Sequence, residues 1–349
     1  MYMLIHCQLI NSQINNCMSK PIVYVVCCLM LLSCSGKPSA DEIQTVRVTP
    51  ELLSDRLEIH PPLQMIDMDS HLMFITPGME HSVLFWNKKN QQTSTWGQMG
   101  NGPDDFTSAQ CVRVHNREVE YFDSNLKKCV KYQLHPGDSV SLTRISECRL
   151  ENDSLVLLNL HRTSIGCTVG FIGYGSNHLF ALLDDSLHVV HTFGDIPVPG
   201  RPDRNNLQLY GWFASYGDRI FFASQPLGYL VCYQIRRDGT VQKEWEHFKT
   251  EPRYDVTQQK WEKTNRFGYY DLCANGQYLF ASYSGKELSE QDLAPGNILV
   301  FTHDGKLICD VAYQGEYVPK LAVNDSLMYT YGKDRLTVSR WKDWKLQNK

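Results

Sequence analysis

The sequence predicts an all-β chain in which one four-stranded antiparallel meander is repeated six times, and three observations carry that prediction. Residues 266–313 hold two short hairpins in succession, each with a turn dipeptide between its strands. A polar turn followed by a strand with an aromatic or small side chain in a fixed place recurs six times. Helical periodicity is confined to a weak pattern over residues 254–263, which reads as a short loop insertion before the fifth unit.

The meander of residues 266–313 sets the template. Its inner strand is expected over 270–272, Asn275-Gly276 makes the turn, and residues 278–283 alternate aromatic and small side chains as a half-buried strand does. Residues 298–301 and 307–311 then flank Asp304-Gly305. A type I′ turn needs positive φ at both central residues, which Asp-Gly tolerates, so this pair is also a hairpin.

In chain order, residues 1–33 read as an export signal. Residues 1–17 lack Lys and Arg, whereas Met18-Ser19-Lys20 and the apolar run 21–32 have the charged start and brief apolar core of a secretory signal, so translation is expected to begin at Met18. The run is too short to span a bilayer as a helix. It ends in Leu31-Leu32-Ser33-Cys34, which resembles a bacterial lipobox and implies a lipid on Cys34. An uncleaved N-terminal anchor is the alternative. Ser35, Gly36 and Pro38 make residues 34–42 a tether, which leaves residues 43–349 for the β domain.

Within the domain the recurring strand ends at Phe74, Tyr121, Ala181, Phe222, Phe280 and Tyr329, at spacings of 47, 60, 41, 58 and 49 residues. Six copies at such a period predict a six-bladed β-propeller with long loops, the third unit being the least regular. A second hairpin follows most copies, turning at residues 87–90, at Pro136-Gly137-Asp138 and at Asp238-Gly239. The sixth unit ends over 336–341 without room for a fourth strand. The lone strand expected over residues 44–48 is assigned that place, closing the ring and covering its free edge.

Composition bounds the partners. With 42% hydrophobic and 21% charged residues the chain can bury a sizeable core, and a net charge of −4 with mixed signs argues against nucleic acid. Beyond Cys34 lie Cys111, Cys129, Cys148, Cys167, Cys232, Cys273 and Cys309, an odd number without a Cys-x-x-Cys pair. They read as buried free thiols rather than a disulfide framework or zinc site.

Motifs for catalysis are wanting. The glycines of residues 97–102 invite a phosphate-cradle reading, but Pro103 and two aspartates follow where a helix N-terminus is needed, so the segment reads as an inter-blade turn plugged by Phe106. Gly173-Tyr174-Gly175-Ser176 is not a nucleophile elbow, and Ser124-Asn125-Leu126-Lys127 lacks companion motifs. Neighbouring strand residues point to opposite faces, so neither Asp104-Asp105 nor Asp184-Asp185 forms an acid–base dyad. No cofactor is expected; carboxylates converging on the channel from separate blades would suit Ca²⁺. Tyr210, Trp212, Arg266, Tyr269 and Tyr270 are the candidate channel or ligand-binding residues, since aromatic platforms beside an Arg suit sugar rings and protein side chains, while packing between blades is the competing role.

Residues 278–286 (Tyr-Leu-Phe-Ala-Ser-Tyr-Ser-Gly-Lys) and 298–306, together with Gly97-Gln98-Met99-Gly100-Asn101-Gly102-Pro103-Asp104-Asp105-Phe106, resemble segments of the TolB-like six-bladed propeller lipoproteins of Bacteroidetes. The resemblance implies a lipid-anchored cell-envelope protein, on the periplasmic side or the cell surface. Ser139, Ser154, Ser186 and Ser326 each follow Asp and precede an apolar residue, a pattern that resembles the O-glycosylation sequon of exported Bacteroidetes proteins; Asp-Ser is also a good turn before a strand. The expected role is a binding or scaffolding module whose partners are the membrane, through the anchor, and an envelope protein or glycan. A propeller glycan hydrolase or lyase with its site at the channel mouth is the alternative.

Overall fold

The computed structural model describes residues 43–344 and 346, apart from 56, 58, 60, 152, 153, 199–204, 256, 259 and 314–316. The expected signal, Cys34 and the tether lie outside the described residues. Among those described there is no α-helix, and so none long and apolar enough to cross a membrane.

Two strands lead: β1 (Gln44–Val48) and β2 (Glu51–Ser54). Blade one is β3 (Gln64–Met68), β4 (His71–Ile75), β5 (His81–Asn87) and β6 (Thr93–Gln98). Blade two is β7 (Ala109–His115), β8 (Glu118–Asp123), β9 (Lys128–His135) and β10 (Ser141–Arg149). Blade three is β11 (Val156–Arg162), β12 (Thr168–Tyr174), β13 (His178–Leu183) and β14 (Val189–Asp195). Blade four is β15 (Gly211–Tyr216), β16 (Arg219–Ser224), β17 (Tyr229–Ile235) and β18 (Val241–Phe248). A hairpin, β19 (Tyr254–Asp255) and β20 (Lys260–Trp261), precedes blade five, which is β21 (Tyr269–Ala274), β22 (Tyr278–Tyr283), β23 (Asn297–Thr302) and β24 (Leu307–Tyr313). Blade six holds β25 (Lys320–Val323), β26 (Leu327–Gly332) and β27 (Arg335–Arg340).

The blades form a six-bladed propeller, each an antiparallel meander running outward from a channel-lining strand. Burial explains the sequence pattern. Strands β4 and β22 are wholly buried and read as nearly continuous apolar runs, because neighbouring blades cover both their faces. Outer strands such as β18 carry charges along a largely wet face, which discourages edge-to-edge pairing. Six hydrophobic clusters fill the six seams, including the one where Phe74 and Trp86 of blade one meet Tyr329 and Leu336 of blade six.

Three expectations are corrected. Strand β1 does not take the fourth place in blade six: it pairs in parallel with β24, from Gln44 opposite Cys309 to Val48 opposite Tyr313. Val46 and Val48 thereby join the apolar seam between blades five and six. The place in blade six goes to β2, antiparallel to β27 with Glu51 opposite Val338. In the third unit the recurring strand of the sequence is β13, one strand too far out; Phe171 of β12 holds the position that Phe222 holds in β16, and their rings stack at 5.4 Å. Counted through Phe171, the uneven spacings of 60 and 41 become 50 and 51. The described residues of 254–263 are not helical: Tyr254–Asp255 pairs with Lys260–Trp261, and Tyr254 packs edge-on against Trp261 with ring centroids 5.1 Å apart.

Candidate functional site

The six inner strands enclose a central cavity of about 360 Å³. All six run in one direction from the same face, because each is the first strand of an antiparallel meander. Their starts, the connections between blades, and the turns from second to third strand therefore share that face, here called the mouth. Long connections begin and end there: the one from β14 to β15, the one from β18 to β21 and residues 284–296.

Side chains near the mouth bond the neighbouring inner strand and tie the seams. Gln64 accepts from the Cys111 N–H (2.7 Å) and donates to its carbonyl (3.1 Å); Gln110 donates to Leu158 O (2.8 Å), and Asn159 to Gly211 O (3.1 Å). The pattern tightens over blades four to six. Trp212 Nε1 donates to Tyr269 O (3.1 Å), while Asp271 accepts from the N–H groups of Leu272 (3.0 Å) and Leu321 (2.8 Å). Lys320 Nζ donates to Tyr270 O (3.0 Å) and lies 3.4 Å from the centroid of the Trp212 ring, a cation–π contact from blade six to blade four.

Burial sets the charge of this knot. Asp271 is 6% exposed, and loss of solvent raises its carboxyl to about 6 against the opposing pull of Lys320 and the two N–H donors. Lys320 is lowered to about 8 by the same burial, opposed by Asp271. Farther along the channel His161, which shares a 2.8 Å hydrogen bond with Ser215 Oγ, is lowered to about 4 by burial and then by Arg113. Among the described residues no three His, Cys, Asp or Glu side chains cluster so as to hold a metal ion.

Tyr210 and Trp212 line the channel. Tyr269 does not: it is buried between blades four and five, its ring 5.1 Å from Tyr283. Arg266 donates from Nη1 to Gly285 O (2.7 Å) and pins the blade-five loop. Tyr270 lines a second cavity at the mouth, a groove of about 670 Å³ between blades five and six. Tyr317 meets Tyr270 edge-on at 6.4 Å, and Tyr331 fixes one wall by donating to Leu57 O (2.8 Å) and Ile59 O (3.0 Å). Asp292, Lys333 and Asp334 also border the groove. Sequence reasoning missed Asp271 and Lys320, and missed that Tyr270 belongs to a groove beside the channel.

The segment after blade one is the turn expected of it. Phe106 is 1% exposed against Trp96 and Tyr121, and Lys128 Nζ sits 4.7 Å above its ring while donating to the carbonyls of Gly102 (3.1 Å), Pro103 (3.2 Å) and Asp105 (2.6 Å). A Cβ at Gly100 or Gly102 would lie 2.6 Å from the Asp105 carboxylate, so the glycines wrap an aspartate rather than a phosphate. Ser139, Ser154 and Ser186 are exposed and Ser326 is half-buried. The seven described cysteines are free.

No family model matches the chain, and no curated protein matches it. Among solved structures it is similar to a luciferin-regenerating enzyme, at 9% identity and a TM-score of 0.52 over 82% of this chain and 93% of that one. It is also similar to regucalcin, a calcium-binding protein from Agrobacterium tumefaciens, at 10% identity and a TM-score of 0.51 over 83% and 87%. At such identities the likeness shows the propeller fold.

Proposed function

We propose that this propeller is an exported, lipid-anchored binding module of the bacterial cell envelope, of the TolB-like kind its sequence resembles, and that it holds a saccharide chain in the groove between blades five and six. The groove itself carries the reading. Tyr270 and Tyr317 offer ring surface for the C–H faces of sugars, while Asp292, Asp334 and Lys333 stand at the rim to meet hydroxyls. Burial first, then the neighbouring Tyr317 and Asp292, pushes the Tyr270 phenol up to about 12. Cys34 holds the module at the membrane, and glycans on Ser139, Ser154, Ser186 and Ser326 would decorate its turns.

The test is co-sedimentation of the full-length protein in mild detergent with immobilised envelope polysaccharide. Tyr270→Ala is expected to weaken retention about tenfold, the order of one lost aromatic platform, without loss of the folded state. Retention equal to that of the parent protein removes the groove from the reading.

A second reading, a glycan hydrolase or lyase working at the channel, is favoured by Asp271, a cavity-lining carboxyl that burial raises to about 6. Both its oxygens already accept backbone N–H groups, which supports a structural role instead. Release of new reducing ends from the same polysaccharide, lost in Asp271→Asn, would move the assignment to the enzyme.

A further inference from the structure

Cys129 of β9 and Cys148 of β10 stand directly opposite one another in the antiparallel register. Residues so placed have Cα atoms about 4.5–5.5 Å apart, inside the ~4.4–6.8 Å span that a disulfide bridges. Cys148 Sγ lies 3.8 Å from the Cys129 carbonyl oxygen, which holds it over the backbone of its partner cysteine. They sit at the seam of blades two and three beside Phe122, Leu150 and Ile172, with Cys129 buried and Cys148 half-buried.

Chemistry distinguishes the two sulfurs. The Cys129 thiol hydrogen-bonds Cys148, and Arg162 of the neighbouring blade, paired with Glu120 at 3.2 Å, adds positive charge. These lower Cys148 to about 7, whereas Cys129 is raised, first by that same hydrogen bond and then by burial. Cys148, the sulfur that solvent and an external disulfide can reach, is the nucleophile, and the buried Cys129 opposite it is placed to resolve it. Burial instead raises Cys111, Cys167, Cys232, Cys273 and Cys309.

We infer that Cys129 and Cys148 form a redox pair that closes to a cross-strand disulfide by exchange with an external disulfide. The Cys148 thiolate attacks one sulfur of the external disulfide, forming a mixed disulfide and expelling one thiolate. Cys129 then gives up its proton, attacks the Cys148 sulfur and expels the second thiolate. Two protein thiols are oxidised, the external disulfide is reduced to two thiols, and β9 becomes covalently pinned to β10. The inference stands independently of the saccharide reading.

The probe is oxidised glutathione added to the folded full-length protein, followed by alkylation, digestion without reductant, and mass spectrometry. The expected result is a Cys129–Cys148 linked peptide two hydrogens lighter than the reduced pair, with two fewer alkylated thiols. Cys129→Ser is expected to stop as a stable glutathione adduct on Cys148, and Cys148→Ser to form neither adduct nor link at this seam. If both thiols of the parent protein stay alkylatable, or the adduct on Cys148 never passes to Cys129, the pair is not redox-active. The parent peptide map decides the point even if a variant fails to fold.

Discussion

At the scale of single residues, Phe106 shows how one side chain fixes a connection. It fills the seam of blades one and two beneath Lys128, and Phe106→Ala is expected to cost about 3–5 kcal/mol through the cavity it leaves. Urea unfolding checks this by a lowered midpoint at unchanged slope. Asp271 and Lys320 make a prediction in pH. The raised carboxyl of Asp271, about 6, contributes stability that is full below its unfolded value near 3.9 and is lost as pH rises through 6. The lowered amine of Lys320, about 8, contributes stability that is full above about 10.4 and is lost as pH falls through 8. Between those limits both are charged, and their mutual attraction tempers the cost of burying them. Lys320→Met removes the cation that pulls Asp271 down, so its carboxyl is expected to titrate above 6; carbon NMR reads the midpoint, and no movement would mean that the charge is not felt. Phe106 was legible because glycines, a proline and acids around one aromatic already spell a plugged turn. Lys320 was not, since nothing local marks a buried lysine and its Trp212 platform lies two blades away.

At the scale of elements, the hairpins of residues 269–313 were legible because their strands are short apolar and aromatic runs and the turns between them carry Asn-Gly and Asp-Gly. Strand β2 was not, for Glu51-Leu52-Leu53-Ser54 has no β-branched residue and no hairpin partner in sequence. In β12, Gly170 and Gly173 lie against Leu160 and Leu158 of the inner strand and dilute the apolar pattern, so β13 took its place in the count. The corrected pairing of β2 has a measurable result. A protein beginning at residue 55 leaves the outer edge of β27 unpaired, whereas one beginning at residue 51 keeps it covered. The shorter form is expected to melt several degrees lower, on the order of the ~2–4 °C per kcal/mol typical of larger domains, and to self-associate on size exclusion. Equal melting and a monomeric peak would show that β2 adds little to blade six.

At the scale of the whole molecule, the propeller was legible in the period of its repeats, while the groove was not, because it is assembled from connections that the sequence places far apart. Tyr270 was singled out for its ring, yet its setting depends on Tyr317 and Asp292 from other loops. The anchoring proposal predicts that Cys34→Ala moves the protein from the membrane pellet to the soluble fraction, judged by fractionation and immunoblot; a variant that still pellets would point to an uncleaved apolar anchor. One contact also bears on how the ring breathes. Among the described residues blades four and six share no hydrophobic seam, yet Lys320 bridges them over blade five by its hold on Trp212 and on Tyr270 O. Three blades so joined should open as one unit in amide hydrogen exchange, giving β15, β21 and β25 a common slow opening rate that blades one to three do not share. The long mouth loops rest mainly on that arc, so if its blades open together a ligand held there would find its footing already still before it arrives.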